Sequence, residues 1–118
     1  MIAGALYGVT GVVLGAWGAH GLVSMFPEAN LGAWDTAVKY QLVHALALLL
    51  VGVLNHLQAR TAFAVTSALF ALGVVLFSGS IYGLSLGAPG WLGPITPMGG
   101  TALIAGWVSL LAGVWQWR

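Results

Sequence analysis

Residues 34–57, WDTAVKYQLVHALALLLVGVLNHL, contain a stretch from Leu42 to Leu54 in which His44 is the only polar side chain. A helix needs about 20 apolar residues to cross the hydrocarbon core of a bilayer. Similar apolar runs occupy about residues 2–23, 62–86 and 99–117, and all four prolines lie in the connections between runs. The sequence therefore predicts an all-α fold, a four-helix transmembrane bundle, in a single transmembrane domain covering residues 1–118.

The composition excludes a water-soluble surface. Of the 118 residues, 60% are hydrophobic and 4% are charged, and the mean hydropathy is +1.01. Soluble domains carry about 25% charged residues. We therefore expect the lipid bilayer as the main partner. A net charge of +1, without a clustered basic face, argues against a nucleic-acid partner. The chain has no cysteine and hence no thiolate chemistry.

The N-terminal run and the charged residues bear on topology. The first run is long for a cleaved signal peptide and lacks a basic segment before it, so we expect a retained span. With four spans, Arg60 and Arg118 lie at the end of the bundle that holds both termini. Lys39, with Asp35 four residues before it in the order that favours an ion pair, lies at the other end. Basic residues favour the cytoplasm, which predicts that both termini are cytoplasmic.

Tryptophans are frequent near the predicted helix ends. Indole rings favour the interface between membrane and water. We expect interfacial positions for five of the six: Trp17, Trp34, Trp91, Trp115 and Trp117.

Glycines follow a helical repeat on several of the predicted helices. Spacings of three and four residues place them on one face of a helix, and small residues allow membrane helices to approach closely. The expected packing glycines are Gly4, Gly8, Gly11, Gly15, Gly18, Gly79, Gly83, Gly99, Gly106 and Gly113. The pattern predicts close packing but leaves open whether the partner is another helix of this chain, a second copy or a different membrane protein.

Polar residues within the apolar runs are costly in lipid and are candidate site residues. Tyr40 and Gln41 precede His44 by four and three residues, so they share or border its face. In the predicted topology the outer half of the bundle holds His20, Gln41, His44, Ser78, Tyr82 and Thr96. Three interpretations stay open: a hydrogen-bond network that fixes packing, a polar cavity for a small solute, lipid head group or proton, and a metal site from the two histidines.

The metal site is the least supported of these interpretations, because His20 and His44 lack the third protein ligand that a site normally has. No nucleophile with a base, nucleotide-binding loop or pair of acids is found. We therefore expect no enzymatic activity and no cofactor.

Four segments together resemble a known family. They are LGAWGAHGL at residues 14–22, YQLVHALAL at 40–48, LFSGSIY at 76–82 and LGPITPMGG at 92–100. The chain resembles the domain-of-unknown-function 423 family of small four-helix membrane proteins, the YwdK/YgdD-like and transmembrane protein 256-like proteins. The motif residues that the resemblance singles out here are His20, Tyr40, Gln41, His44, Ser78, Ser80, Tyr82, Pro94, Thr96, Pro97, Gly99 and Gly100. The resemblance implies four spans and, in bacteria, the inner membrane, and it implies no established reaction.

The segment PITPMGG at residues 94–100 has two interpretations. Thr96 before Pro97 fits a capping residue followed by proline at the first position of the fourth helix. Alternatively, the segment forms a re-entrant lid over the polar residues, which membranes tolerate only where protein or water buries the backbone. We favour the helix cap.

Three classes of function fit these features. The leading one is a non-enzymatic membrane protein whose polar pocket binds or passes a small ligand or lipid. The second is a structural or assembly subunit of a larger membrane complex. The third is a small proton-coupled transporter, which would depend on His44, since Glu28 and Asp35 lie in or beside the first connection.

Overall fold

The computed structural model describes residues 1–118 and contains helices without any β-strand. Four helices are long and apolar enough to cross a membrane. The predicted all-α fold with four transmembrane helices is confirmed. The helices are α1 (Ile2–His20), a short α2 (Leu22–Met25), α3 (Leu31–Leu57), α4 (Thr61–Ser85), a single 3₁₀ turn (Gly90–Leu92) and α5 (Ile95–Trp115).

Three helix ends differ from the prediction by three or four residues, and one of them is the start of α3, at Leu31 instead of about Trp34. The first helix ends at His20, and α2 forms a separate turn before Pro27. The fourth long helix begins at Ile95, with Pro94 at the capping position and no side-chain cap. The expected cap by Thr96 is wrong, because Thr96 already lies in the first turn. Pro97 is tolerated there, since the first N–H groups of a helix have no intrahelical acceptor.

The connections are short and held by polar contacts. Asn30 caps α3 by accepting a hydrogen bond from the N–H of Ala33 at 3.0 Å. Three residues join α3 to α4. In this hairpin the backbone N–H of Arg60 donates to Asn55 Oδ1 at 3.0 Å, and Arg60 Nη2 donates to the carbonyl of Gln116 at 2.6 Å. The hairpin is therefore fastened to the end of α5.

The helices are arranged with α3 and α4 in the middle. Extensive contacts join α1 to α3, α3 to α4, and α4 to α5. The molecule measures 52 × 26 × 17 Å along its principal axes. Helices α1 and α5 are therefore outer helices, each packed mainly on one inner helix.

The glycines of α1 face α3. A Cβ atom added to Gly4 would lie 2.8 Å from the carbonyl oxygen of Ala45, and one added to Gly18 would lie 2.6 Å from the indole of Trp34. Gly11 and Gly15 are similarly close to Leu42 and Val38, respectively. The absence of side chains at these positions lets α1 lie against α3.

The glycines of α5 face α4, where they meet phenylalanines at the same seven-residue spacing. An added Cβ would lie 2.2 Å from the backbone nitrogen of Phe77 at Gly99, and 2.6 Å from a phenylalanine ring at both Gly106 and Gly113. A seven-residue repeat keeps one seam between two helices in register. We call this set the Phe/Gly seam: Phe63, Phe70 and Phe77 with Gly113, Gly106 and Gly99, respectively.

Three of the predicted packing glycines are not at close contacts between two transmembrane helices. A Cβ on Gly8 or Gly79 would meet no atom within 4 Å. Gly8 lies over a gap between α1 and α3, and Gly79 over a groove between α1 and α4. Gly83 approaches Leu92 of the connection before α5. The repeat alone did not distinguish these positions from the glycines at helix contacts.

Candidate functional site

Gln41 is the centre of a hydrogen-bond network that joins three helices. Its side chain is 4% exposed. Its Nε2 donates to the carbonyl of Tyr7 at 3.0 Å and to Thr10 Oγ1 at 2.7 Å, and its Oε1 accepts from the Tyr82 hydroxyl at 2.6 Å. We call Gln41, Thr10, Tyr82 and the Tyr7 carbonyl the Gln41 network. Both amide protons of Gln41 are used, as a buried amide requires.

Neighbouring contacts hold this network in place. The ring of Tyr82 lies against Trp34, with 4.6 Å between ring centroids. Trp34 is buried, and its Nε1 donates to the carbonyl of Leu14 at 2.9 Å. Trp34 therefore satisfies its indole N–H between helices, near the start of α3. Ser78 donates to the carbonyl of Ala37 at 2.8 Å and links α4 to α3.

His44 lies on a different side of α3, toward α5. Its Nδ1 is 2.7 Å from the carbonyl of Tyr40, and its Nε2 is 3.0 Å from Nε1 of Trp107. A carbonyl only accepts and an indole N–H only donates. Nδ1 therefore carries the proton and Nε2 accepts, which makes His44 a neutral imidazole with both nitrogens satisfied.

Ser80 and Thr96 form a third pair. Their hydroxyl oxygens are 2.6 Å apart, and Ser80 also donates to the carbonyl of Phe77 at 3.0 Å. The pair ties the first turn of α5 to α4. Thr96 thus serves helix contact instead of helix capping.

His20 does not join the other candidates. It is exposed at the end of α1 and makes no side-chain hydrogen bond. The structure therefore does not form one pocket from the predicted polar residues. It brings Gln41 and Tyr82 together, places Ser78 beside them, and separates His44 with Tyr40, Ser80 with Thr96, and His20. The imidazole nitrogen of His44 that would bind a metal already accepts from Trp107.

A groove opens to the lipid beside His44. It has a volume of about 290 Å³ and is lined by Lys39, Tyr40, Val43, His44 and Trp107. At its outer end Lys39 Nζ is 2.9 Å from Asp35 Oδ2, as the spacing of these residues favours. We call this feature the His44 groove. Its walls are mainly apolar and aromatic, and its polar groups lie at the two ends.

Three contributors to these contacts were missed at the level of sequence: Tyr7, Thr10 and Trp107. Trp107 carried a usable signal, since an indole N–H near the middle of a transmembrane helix requires an acceptor. Tyr7 and Thr10 lie on α1 between the packing glycines, and their sequence positions alone gave no signal of a polar site. The position of α3 against α1 is needed to show that Gln41 bonds to the Tyr7 carbonyl and to the Thr10 hydroxyl.

Four long apolar helices whose buried polar side chains are hydrogen-bonded within the protein define an integral, multi-spanning membrane protein. Within that class, the chain belongs to the family described as Protein of unknown function (DUF423), which matches residues 14–100. The resemblance drawn from the four motifs is confirmed.

Relatives named as membrane proteins match nearly the whole chain. UPF0382 membrane protein SH2409 of Staphylococcus haemolyticus is 43% identical over 113 residues, covering 94% of this chain and 90% of the relative. UPF0382 membrane protein YwdK of Bacillus subtilis is 41% identical, covering 94% and 91%. UPF0382 inner membrane protein YgdD of Escherichia coli is 38% identical, covering 96% and 86%. No solved structure matches the chain.

Proposed function

We propose that this protein is a non-enzymatic membrane protein that binds a lipid through the His44 groove. The observation that carries the proposal is the groove's position and lining. Its inner end is formed by His44 and Trp107, and its outer end by Lys39, which is paired with Asp35. This order of apolar walls followed by charges matches the order of acyl chain and head group in a phospholipid.

The length of the groove also fits one leaflet. His44 is the central residue of the 27-residue helix α3, so it lies near the middle of the bilayer. Lys39 lies about 7.5 Å closer to the surface at 1.5 Å per residue, and its side chain extends further toward the head groups. Half of the hydrocarbon core measures about 15 Å. A lipid of one leaflet would therefore place its chain against Trp107 and its head group against Lys39.

Proton transport and enzymatic chemistry receive less support from the geometry. Both nitrogens of His44 are engaged, so protonation at Nε2 would require loss of the Trp107 contact. The chain has two carboxylate side chains, Glu28 and Asp35, and both are exposed. The buried hydroxyls of Ser78 and Ser80 donate to backbone carbonyls and have no base beside them.

Orientation and membrane are part of the same proposal. Arg60 and Arg118 lie at one end of the bundle, and Glu28 and Asp35 lie at the other. Basic residues favour the cytoplasmic side, so we place both termini in the cytoplasm and the His44 groove in the outer leaflet. The E. coli relative is named an inner membrane protein, which supports the bacterial inner membrane for this chain.

A second candidate, an assembly subunit, is favoured by one feature of α1. Only Gly4 and Gly11 of this helix are buried, so most of its surface is available to a second copy or another membrane protein. Purification in a mild detergent tests this candidate. A defined complex with another protein would support it, and a monomer that remains folded would count against it.

A photoactivatable phospholipid tests the lipid proposal. The probe carries its reactive group in the acyl chain, and labelled peptides are mapped by mass spectrometry after irradiation in nanodiscs. Val43 lines the groove and is 54% exposed, and Val53 is on the same helix outside it and is 45% exposed. We expect labelling near Tyr40 and Trp107 that Val43→Phe reduces and Val53→Phe leaves unchanged. Uniform labelling of all lipid-facing helices, unaffected by Val43→Phe, would refute lipid binding in the groove.

A further inference from the structure

Arg60 and Arg118 form a basic site at the end of the bundle opposite the His44 groove. Together with Gln116 they line an open depression of about 590 Å³ that contains no hydrophobic residue. Arg60 makes three side-chain hydrogen bonds, two to Gln116 and one to Gln58. A guanidinium has five N–H donors, so two remain, and one of them, Nε, is buried without a partner.

No carboxylate side chain neutralises this charge. Glu28 and Asp35 are the only acidic residues of the chain. Asp35 lies about 35 Å from the hairpin along α3, at 1.5 Å per residue. Charges in solution are largely screened beyond about 8–10 Å at physiological salt. The two guanidinium groups therefore have no acidic side chain within electrostatic reach.

The surroundings favour an anion at this position. Guanidinium groups suit phosphate because their planar donors match its oxygens. Trp117 lies beside the site against Phe63, 6.2 Å between ring centroids, in the position of an interfacial indole.

We propose that Arg60 and Arg118 bind the phosphate of an anionic phospholipid in the leaflet that meets the α3–α4 hairpin. The proposal does not depend on the His44 groove, because the two sites face opposite leaflets and share no residue. Basic pockets at membrane surfaces bind anionic head groups in this way. The commitment to a lipid follows from the position of the site, which is bordered by Trp117 and lies at the end of transmembrane helices.

Lipid competition measured by native mass spectrometry tests the proposal. The delipidated full-length protein is titrated with phosphatidylglycerol and phosphatidylcholine of identical acyl chains. We expect a preference for phosphatidylglycerol that falls about fivefold for Arg118→Gln, since each basic residue near an anionic surface contributes about this factor. Arg60→Gln should lower the preference at least as much, and Arg60→Lys should retain part of it. Glu28→Gln, which changes the net charge by one at the opposite end of the bundle and lies in neither proposed site, is the control and should leave the preference unchanged.

Several outcomes would overturn the proposal. Equal binding of the two lipids by the unaltered protein would do so, as would a preference that persists when both arginines are replaced. Binding of inorganic phosphate that phosphatidylglycerol fails to displace would identify a free-anion site instead. If Arg60→Gln does not fold, Arg118→Gln carries the test, because the Arg118 side chain makes no hydrogen bond in the structure. Val43→Phe should retain the head-group preference, so this test and the groove test fail independently.

Discussion

Gly99 is the position where an added methyl group would meet the most resistant neighbour. In Gly99→Ala the new Cβ would lie 2.2 Å from the backbone nitrogen of Phe77 and 2.7 Å from the carbonyl carbon of Leu76. Ordinary contacts of a Cβ begin at 3.4 Å. Backbone atoms inside a helix do not rotate away as a side chain does. The two helices would therefore have to separate by about 1 Å at this point.

The cost of that separation follows from the contacts along the Phe/Gly seam. A radial gap of about 0.5–1 Å forfeits roughly a quarter to a half of the dispersion energy of each affected contact. Insertion of a methyl group into a well-packed core costs about 1–3 kcal/mol, and occasionally more. Because the clash at Gly99 is with backbone, we expect Gly99→Ala to lower the free energy of unfolding by about 3 kcal/mol.

The chain supplies a matched control for this substitution. Gly79 is also within a transmembrane helix, and an added Cβ there would meet nothing within 4 Å. We expect Gly79→Ala to leave the free energy of unfolding unchanged or to raise it by up to about 1 kcal/mol, because alanine is favoured over glycine inside a helix and no contact opposes it. Both variants are measured by titrating the protein in mild detergent with sodium dodecyl sulfate and following helix content by circular dichroism.

Equal stabilities of Gly99→Ala and Gly79→Ala would refute the reasoning. That result would mean that α4 and α5 do not approach as closely as the Phe/Gly seam requires. A large loss for both variants would also contradict it, because the loss would then not depend on the contact between α4 and α5.

The polar contacts give three further expectations, all measured by the same unfolding titration. Gln41→Leu removes three hydrogen bonds and should cost about 2 kcal/mol, at about 0.6 kcal/mol for an average bond in a membrane, with allowance for the unpaired Tyr82 hydroxyl. Trp107→Phe removes the donor to His44 and should cost about 1 kcal/mol. Ser78→Ala removes one bond to a carbonyl and should cost about 0.6 kcal/mol.

The order of these three losses is the critical result. Trp115→Phe is the control for Trp107→Phe, since Trp115 is 83% exposed and makes no side-chain hydrogen bond. A cost for Ser78→Ala larger than that for Gln41→Leu would show that Gln41 does not join three helices as described. An equal effect of Trp107→Phe and Trp115→Phe would contradict the bond to His44.

Hydropathy was sufficient to locate the transmembrane helices but not the pairs they form. The apolar runs around Leu42–Leu54 and its counterparts specify spans, because their length matches the membrane. The glycine repeat showed which face of α1 and of α5 would be packed. It did not show that these faces meet different helices, because the partner depends on the shape of the opposing surface, such as the phenylalanines of α4.

The polar residues were easier to identify than to pair. Their cost in lipid singled out Gln41 and His44, and both are buried and hydrogen-bonded. Whether they share one pocket depends on rotation of α3, which places them toward different neighbours. The expected cap by Thr96 failed because α5 begins at Ile95, which places Thr96 inside the first turn, where its hydroxyl bonds to Ser80.

The protein is thin and buries few of its own residues, and this affects its stability in detergent. Only 25 of 118 residues are buried, and the molecule is 17 Å across its thinnest dimension. Most of the protein surface therefore contacts the acyl chains of the bilayer. Their lateral pressure helps to hold the helices together, because the buried interior of the protein is small. Helix α1, which contacts α3 through its glycines, should be the first element to detach in a short-chain detergent.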